Sequence, residues 1–331
     1  MEKYLYTAKQ NVEKILETKV EYIPNTDKNK LILGIHEHKF RVITFTEIRE
    51  ANKGVIFAKI QNEKKVNNLP VLIVAKFIAK DIAEEMRIKN INYIDIAGNG
   101  NIKAENLLFY VRGQKNTPIP KVNKTRAFQE AGIKLIYQFL TDPTNLEKTY
   151  RELAKLTGIA LGSVSSIINE LEELNFILKS KNGIRLKNKL KLLERWVIAY
   201  NEVLKPKLFQ KKLKFATHPD ITQWQKLINA NDEIFWGGEP AANILTGHLN
   251  PAEFTIYTFN YWTEIAKVNK LIPDNEGNIE IISAFWPVKK LDDRLVTVNP
   301  LLVYADLINT GNERNIEAAR IIYEKELQHL E

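Results

Sequence analysis

The chain has 331 residues, 44% of them hydrophobic, with 48 Lys and Arg against 40 Asp and Glu, a net charge of +8, and no Cys. That length exceeds the roughly 250–300 residues one core usually supports, and the absence of cysteine excludes a disulfide scaffold, a thiolate metal site and a cysteine nucleophile. Apolar runs such as Leu69–Ala75 fall far short of the roughly 20 residues that span a bilayer, and MEKYLYTAKQNVEK has no signal-peptide h-region, so a cytoplasmic protein without a membrane partner is expected.

The first block, residues 1–118, alternates strands and helices. Thr7–Glu17 reads as a helix with Val12, Ile15 and Leu16 on one stripe. Val20–Ile23, Lys30–Ile35, Lys39–Phe45 and Val55–Lys59 read as short strands separated by turn residues such as Asn25–Asn29. Leu69–Phe77 is a near-continuous apolar run, the pattern of a central strand buried on both faces. Asp81–Lys89 reads as a helix; Asn92–Ile96, Asn101–Lys103 and Leu107–Val111 read as strands. Thr117–Lys124 carries two prolines and two lysines and reads as a linker.

The second block, residues 125–200, is the most sharply patterned. Ala127–Leu140 is helical and stops at Thr141-Asp142-Pro143. Thr149-Tyr150-Arg151-Glu152 spells a capping box, in which the Thr hydroxyl accepts from the Glu152 amide and the Glu carboxylate from the Thr149 amide. The helix it starts ends at Gly158, a natural left-handed terminator. A second helix follows, with Val164, Ile167, Ile168, Leu171 and Leu174 on one face. Phe176-Ile177-Leu178, a turn with Asn182-Gly183, and Ile184-Arg185-Leu186 then spell a hairpin. Helix, turn, helix and hairpin in this order predict a winged helix-turn-helix.

That motif nominates particular residues for duplex DNA. Gly162 and Ser163 are small enough for the helix N-terminus to approach a phosphate. Ser165, Ser166 and Asn169 lie on the face opposite the core; Ser166 and Asn169 are within reach of base edges, and Asn suits adenine. The charge comes from Lys179, Lys181 and Arg185 on the hairpin, then Lys187, Lys189 and Lys191. Between Lys179 and Lys214 there are twelve basic residues and two acidic ones, so the rest of the chain is slightly acidic. A basic flank of this kind displaces condensed counterions along a phosphate backbone. Alternatives are a solvated helix face plus linker, or a winged helix that docks a protein.

In the third block, residues 215–331, Ile221–Leu227, Gly237–Leu245, Leu301–Ile308 and Asn315–His329 read as helices. Phe254–Thr258 and Ile279–Phe285 read as strands. Catalytic patterns are sparse: there is no P-loop, no GxGxxG and no GxSxG. The one close histidine pair, His36-Glu37-His38, would share a strand face, with no third ligand nearby in sequence. Asp95, beside Ala97-Gly98-Asn99-Gly100, suits either a catalytic carboxylate or a turn. No catalytic residue, metal or cofactor is assigned.

Three segments together resemble the AbiEi-type antitoxins of type IV toxin–antitoxin systems. They are PVLIVAKFIAKDIAEEMRIKNINYIDIAGNGNI (Pro70–Ile102), TYRELAKLTGIALGSVSSIINELEELNFI (Thr149–Ile177), and the pair WGGEPAANILTGHLNPAEFTIYTF (Trp236–Phe259) with LLVYADLINTGNERNIEAARIIYE (Leu301–Glu324). The resemblance implies a DNA-binding repressor of its own operon. It further implies functional pairing with a nucleotidyltransferase-like toxin, without a required direct complex; a homodimer is a possible state.

The N-terminal block also looks like a restriction-endonuclease-type α/β fold, expected to be inactive: Ile56-Phe57 precedes Ala58-Lys59, and Ile73-Val74 precedes Ala75-Lys76, so neither lysine follows an acid at the spacing such nucleases use. The C-terminal block is similar in layout to a nucleotidyltransferase, yet Phe254-Thr255-Ile256-Tyr257 has no carboxylates to hold magnesium. The expected fold is therefore α/β multidomain: a restriction-endonuclease-like α/β domain (1–118), a winged helix-turn-helix (125–200) and a degenerate nucleotidyltransferase-like α/β domain (215–331). The alternative function is a metal-dependent nuclease or nucleotidyltransferase acting on nucleic acid through Asp95 or Asp292-Asp293.

Overall fold

An N-terminal helix laid across one face of a mixed sheet organises the first part of the chain. The structure is a computed structural model that describes residues 2–23, 31–66, 68–115, 125–180, 183–217, 224–227, 234–287 and 296–330. Packing divides the chain into two units, Met1–Val122 and Asn123–Glu331. No described helix is long and apolar enough to cross a membrane.

The first unit runs α1 (Glu2–Leu16), β1 (Val20–Ile23), β2 (Leu31–Ile35), β3 (His38–Ile48), α2 (Glu50–Val66), β4 (Val71–Ile78), α3 (Lys80–Ile88), β5 (Asn92–Asp95), β6 (Gly100–Ala104) and β7 (Leu107–Val111). Among the described residues the seven strands form one sheet in sequence order. The outer pairs are antiparallel, whereas β3, β4 and β5 are parallel. Parallel neighbours need a crossover, and α2 and α3 supply the two.

That requirement corrects the reading of Val55–Lys59, which lies inside α2 and not in a strand. A short apolar run looks the same in either state; the crossover decides it. Ile56, Phe57 and Ile60 of α2 are buried, and the helix lies against β3 and β4. On the opposite face, Leu5, Ala8 and Val12 of α1 pack on Leu33, Phe40, Leu72, Val74 and Ile94. Covered on both sides, β4 is buried from Val71 through Ala75, as its apolar run requires.

Two turns settle local questions. His36 and Glu37 connect β2 to β3, with His36 at φ 52°, so His36 leaves the strand that carries His38 and the two rings do not share a strand face. Asp95 is a turn carboxylate: it accepts from the amides of Ala97 and Asn99 and from Asn99 Nδ2, each at 2.9 Å. The expected linker Thr117–Lys124 lies outside the described residues.

The second unit opens with a 3₁₀ turn (Arg126–Phe128) and α4 (Glu130–Thr141). Extended Gln129 separates them, so the expected helix Ala127–Leu140 is broken near its start. Then come α5 (Tyr150–Thr157), α6 (Leu161–Glu173), β8 (Ile177–Ser180), β9 (Gly183–Leu186) and α7 (Lys189–Ala199), which continues through a wide turn, Tyr200–Leu204. The remainder comprises β10 (Gln210–Phe215), α8 (Trp224–Leu227), β11 (Ile234–Gly237), α9 (Gly238–Thr246), β12 (Phe254–Thr258), α10 (Trp262–Val268), β13 (Leu271–Pro273), β14 (Ile279–Ser283), α11 (Pro300–Asn309) and α12 (Glu313–Ile322). Its larger sheet has the order β11-β12-β14-β10-β13, with β12 and β14 parallel and the other pairs antiparallel.

The expected boundary between residues 200 and 215 is not a break in packing. Trp196 Nε1 donates to the Ile133 carbonyl at 2.9 Å. The Trp196 ring stacks between Tyr137 and Tyr200, at 5.8 and 5.2 Å, and both tyrosines touch Phe285, at 5.1 and 5.9 Å. Residues 125–200 and 215–331 are therefore joined through one aromatic core within a single unit.

Candidate nucleic-acid interface

α5 and α6 owe their positions to local chemistry. Thr149 Oγ1 accepts from the Glu152 amide at 3.3 Å, and the Glu152 carboxylate accepts from the Thr149 amide at 2.7 Å. The Thr149 hydroxyl and amide together hold the Glu152 carboxyl below its usual range. Gly158 then ends α5 in the left-handed region at φ 68°. Val164, Ile167, Ile168 and Leu171 bury one face of α6. The Arg195 guanidinium caps this small core, lying 4.1 Å from the Phe128 ring centre and 5.4 Å from that of Phe176.

α6 follows Ala160, whose side chain caps nothing. The Ser163 amide donates to the Ala160 carbonyl at 2.9 Å, so in the first turn the Leu161 and Gly162 amides retain their donors, at the end where the helix dipole is positive. Leu161 and Gly162 are exposed there, and Ser163, Ser165 and Ser166 are half-buried. Ser166 Oγ donates to the Gly162 carbonyl at 3.0 Å, which ties it to the helix itself. Asn169 is exposed, but its Oδ1 accepts from Lys179 Nζ at 2.5 Å.

The hairpin cations divide between its two faces. Lys179 also pairs with Glu172 at 2.8 Å, so it bridges the hairpin to α6. Arg185 stands opposite Leu178 in the strand register, one place from Lys179. Directly opposed residues share a face and successive residues alternate, so Arg185 and Lys179 point to opposite faces. Arg185 and Lys187 are exposed. Lys189 donates to the His329 carbonyl. Lys181 and Asn182 lie outside the described residues.

Two further cations, passed over in the sequence reading, are exposed on α5: Arg151 and Lys155. Their spacing along the polar face of α5 was the available signal. The acids Glu170, Glu172 and Glu173 likewise foretold that the second half of α6 repels phosphate and captures Lys179.

A second concave site lies in the larger sheet, a cleft of about 560 Å³ bordered by Lys205, Gly238, Glu239, Thr255, Glu280 and Asp306. A side chain at Gly237 would meet the Tyr257 ring at 2.6 Å, and one at Gly238 would meet Thr255 Oγ1 at 2.8 Å. The glycine pair is thus required by the residues of β12 packed against it. Tyr257 donates to Asp306 at 3.0 Å, Tyr200 donates to Tyr257 at 2.6 Å, and Lys205 pairs with Asp306 at 2.8 Å. Burial and the Asp306 charge push both phenols well above their usual pKa.

Glu239 is a buried hub. It accepts from Arg314 at 2.8 Å, Asn315 at 3.0 Å and the Ala252 amide at 2.7 Å. Asp292-Asp293 lie outside the described residues.

Against this geometry, residues 185–328 match the family described as transcriptional regulator, AbiEi antitoxin, type IV TA system. Over those residues the chain is similar to that family. The matched segment begins on β9 and takes in the larger sheet, leaving Pro70–Ile102 and Thr149–Ile177 outside it. Residues 132–195, from α4 into α7, match the Firmicute plasmid replication protein RepL. A search of curated proteins and one of solved structures returned no match.

Proposed function

We propose that the protein is a DNA-binding transcriptional regulator that serves as the antitoxin of a type IV toxin–antitoxin system and represses its own operon. The observation that carries this reading is the acid-free first half of α6, whose N-cap residue Ala160 caps nothing, together with the exposed cations Arg151 on α5 and Arg185 and Lys187 at the hairpin. We read α4 to α6 with the β8–β9 hairpin as a winged helix-turn-helix. In this arrangement Gly162 and Ser163 meet a phosphate, Asn169 reads a base edge once Lys179 releases it, and Arg185 and Lys187 follow the backbone. Duplex DNA is the partner, and a nucleotidyltransferase-like toxin is the functional counterpart, with no direct complex required.

The same reading makes the AbiEi-type segment a non-catalytic scaffold of nucleotidyltransferase layout. Its support is that Thr255 and Tyr257 pack directly on the glycine pair, where such an enzyme needs acids to clamp a metal. The N-terminal unit is read as an inactive relative of the restriction-endonuclease fold.

The test is a salt titration of binding to duplex from the region upstream of the gene. Each phosphate contact contributes a slope of about 0.9 in log K against log salt. Replacing Arg151, Arg185 and Lys187 with Ala should therefore lower the slope by about 2.7. An unchanged slope would remove these side chains from the interface. Label transfer from a nucleoside triphosphate that requires Mg²⁺ would replace the scaffold reading with catalysis.

A further inference from the structure

The first unit carries a cleft that the duplex reading leaves unused. It has a volume of about 480 Å³ and opens at the carboxyl ends of β4 and β5, where α3 begins, with the residues after β7 as its far wall. Crevices at the carboxyl ends of parallel strands are where open α/β sheets place ligands, and this volume lies within the usual range for a small molecule.

Its lining combines cations with aromatic rings. Lys80, Arg112 and Lys115 are exposed at the rim, and Phe77, Tyr93 and Tyr110 form the walls. The acids present are already engaged. Glu84 pairs with Arg87 at 2.5 Å and lies 3.9 Å from Arg112, while Asp95 accepts from Ala97 and Asn99. Lys80 and Lys115 have no ion-pair partner among the described residues.

Tyr93 adds a different kind of signal. It is 4% exposed and lines the cleft, and its hydroxyl makes no hydrogen bond among the described residues, so its donor is open to whatever enters the cleft. Burial, with Tyr110 and Glu84 nearby, pushes its pKa up to about 12, so the group is a neutral donor at physiological pH.

We propose that this cleft binds a nucleotide, with the phosphate held by Lys80, Arg112 and Lys115, the base against Tyr110, and the Tyr93 hydroxyl donating to the sugar or base. The rings favour a flat partner over a bare phosphate, and the rim supplies the opposite charge. The site is independent of the duplex interface on α6.

The experiment is calorimetric titration of the full chain with AMP, CMP, GMP and UMP at low salt, with inorganic phosphate as competitor. At least one nucleotide should bind saturably. Affinity should fall about tenfold or more in Lys80→Ala/Lys115→Ala, and roughly threefold to tenfold in Tyr93→Phe, with upstream-duplex binding unchanged. A single-stranded hexanucleotide that binds tighter than the mononucleotide and responds to the same substitutions would place the nucleotide in a strand; weaker binding would make it a free ligand. Absence of saturable binding, indifference to both variants, or phosphate competing as well as the nucleotide would overturn the proposal. So would loss of duplex binding in the lysine variant without any nucleotide binding, which would make the rim part of the duplex interface.

Discussion

Lys205 shows how a single side chain can hold the larger sheet to the aromatic core. Its ammonium lies 2.8 Å from Asp306, which also accepts from the buried Tyr257 hydroxyl. Burial alone would push the Lys205 pKa down; Asp306 and Glu280 outweigh it and hold the group above its ordinary 10.5. Because the folded value is the higher one, the stabilisation from Lys205 is fully present below pH 10.5 and is lost as the pH rises through the folded value. Lys205→Met should cost about 3–5 kcal/mol, since it strands a buried carboxylate, and Lys205→Met/Asp306→Leu should recover much of that. Urea denaturation at neutral pH reads both, and a double variant no more stable than the single would refute the pairing. In sequence Lys205 was one member of a basic run, because nothing local shows that Asp306 lies beside it.

Among the elements, α4 gives the clearest conflict between propensity and packing. Gly132 sits inside the helix, where Ala would ordinarily be better by about 1 kcal/mol. A side chain there would lie 2.2 Å from the Ala127 carbonyl oxygen in the preceding turn. Gly132→Ala should therefore destabilise by about 1–3 kcal/mol, and a stabilised variant in thermal unfolding would show that the turn can move away. α5 was legible from its capping box because cap, helix and terminator are neighbours in sequence. β10 was not, since Gln-Lys-Lys-Leu-Lys-Phe buries only Leu213 fully and reads as a charged linker. α2 was misread for the opposite reason: its apolar run suits both states, and only the parallel pairing of β3 with β4 demands a helix.

For the whole molecule, the division at Val122 and Asn123 makes a direct prediction. Residues 123–331 contain the aromatic core, both of their own sheets and every residue assigned here to the duplex. Expressed alone, they should unfold in one cooperative transition and keep the full chain's duplex affinity and salt slope. A fragment that binds duplex but unfolds in two steps would separate the α4–α7 region from the larger sheet and its helices, contrary to the shared core. Nucleotide binding, by contrast, should be lost with residues 1–122.

The sequence by itself determined the features written in adjacent residues: the capping box, the Gly158 terminator, the apolar face of α6, the hairpin strands and the doubly covered strand β4. It also carried the AbiEi resemblance over the C-terminal region. Tertiary structure decided what depends on residues far apart in the chain. It made Asp95 a turn carboxylate and Glu239 a buried hub, tied Lys179 to α6 and turned Arg185 away from it. It also joined the expected second and third blocks through Tyr137, Trp196, Tyr200 and Phe285. The physical reason is range. Caps, turns and periodicities act over a few residues and leave a local signature, whereas ion pairs, clefts and shared cores are set by which surfaces the fold brings together.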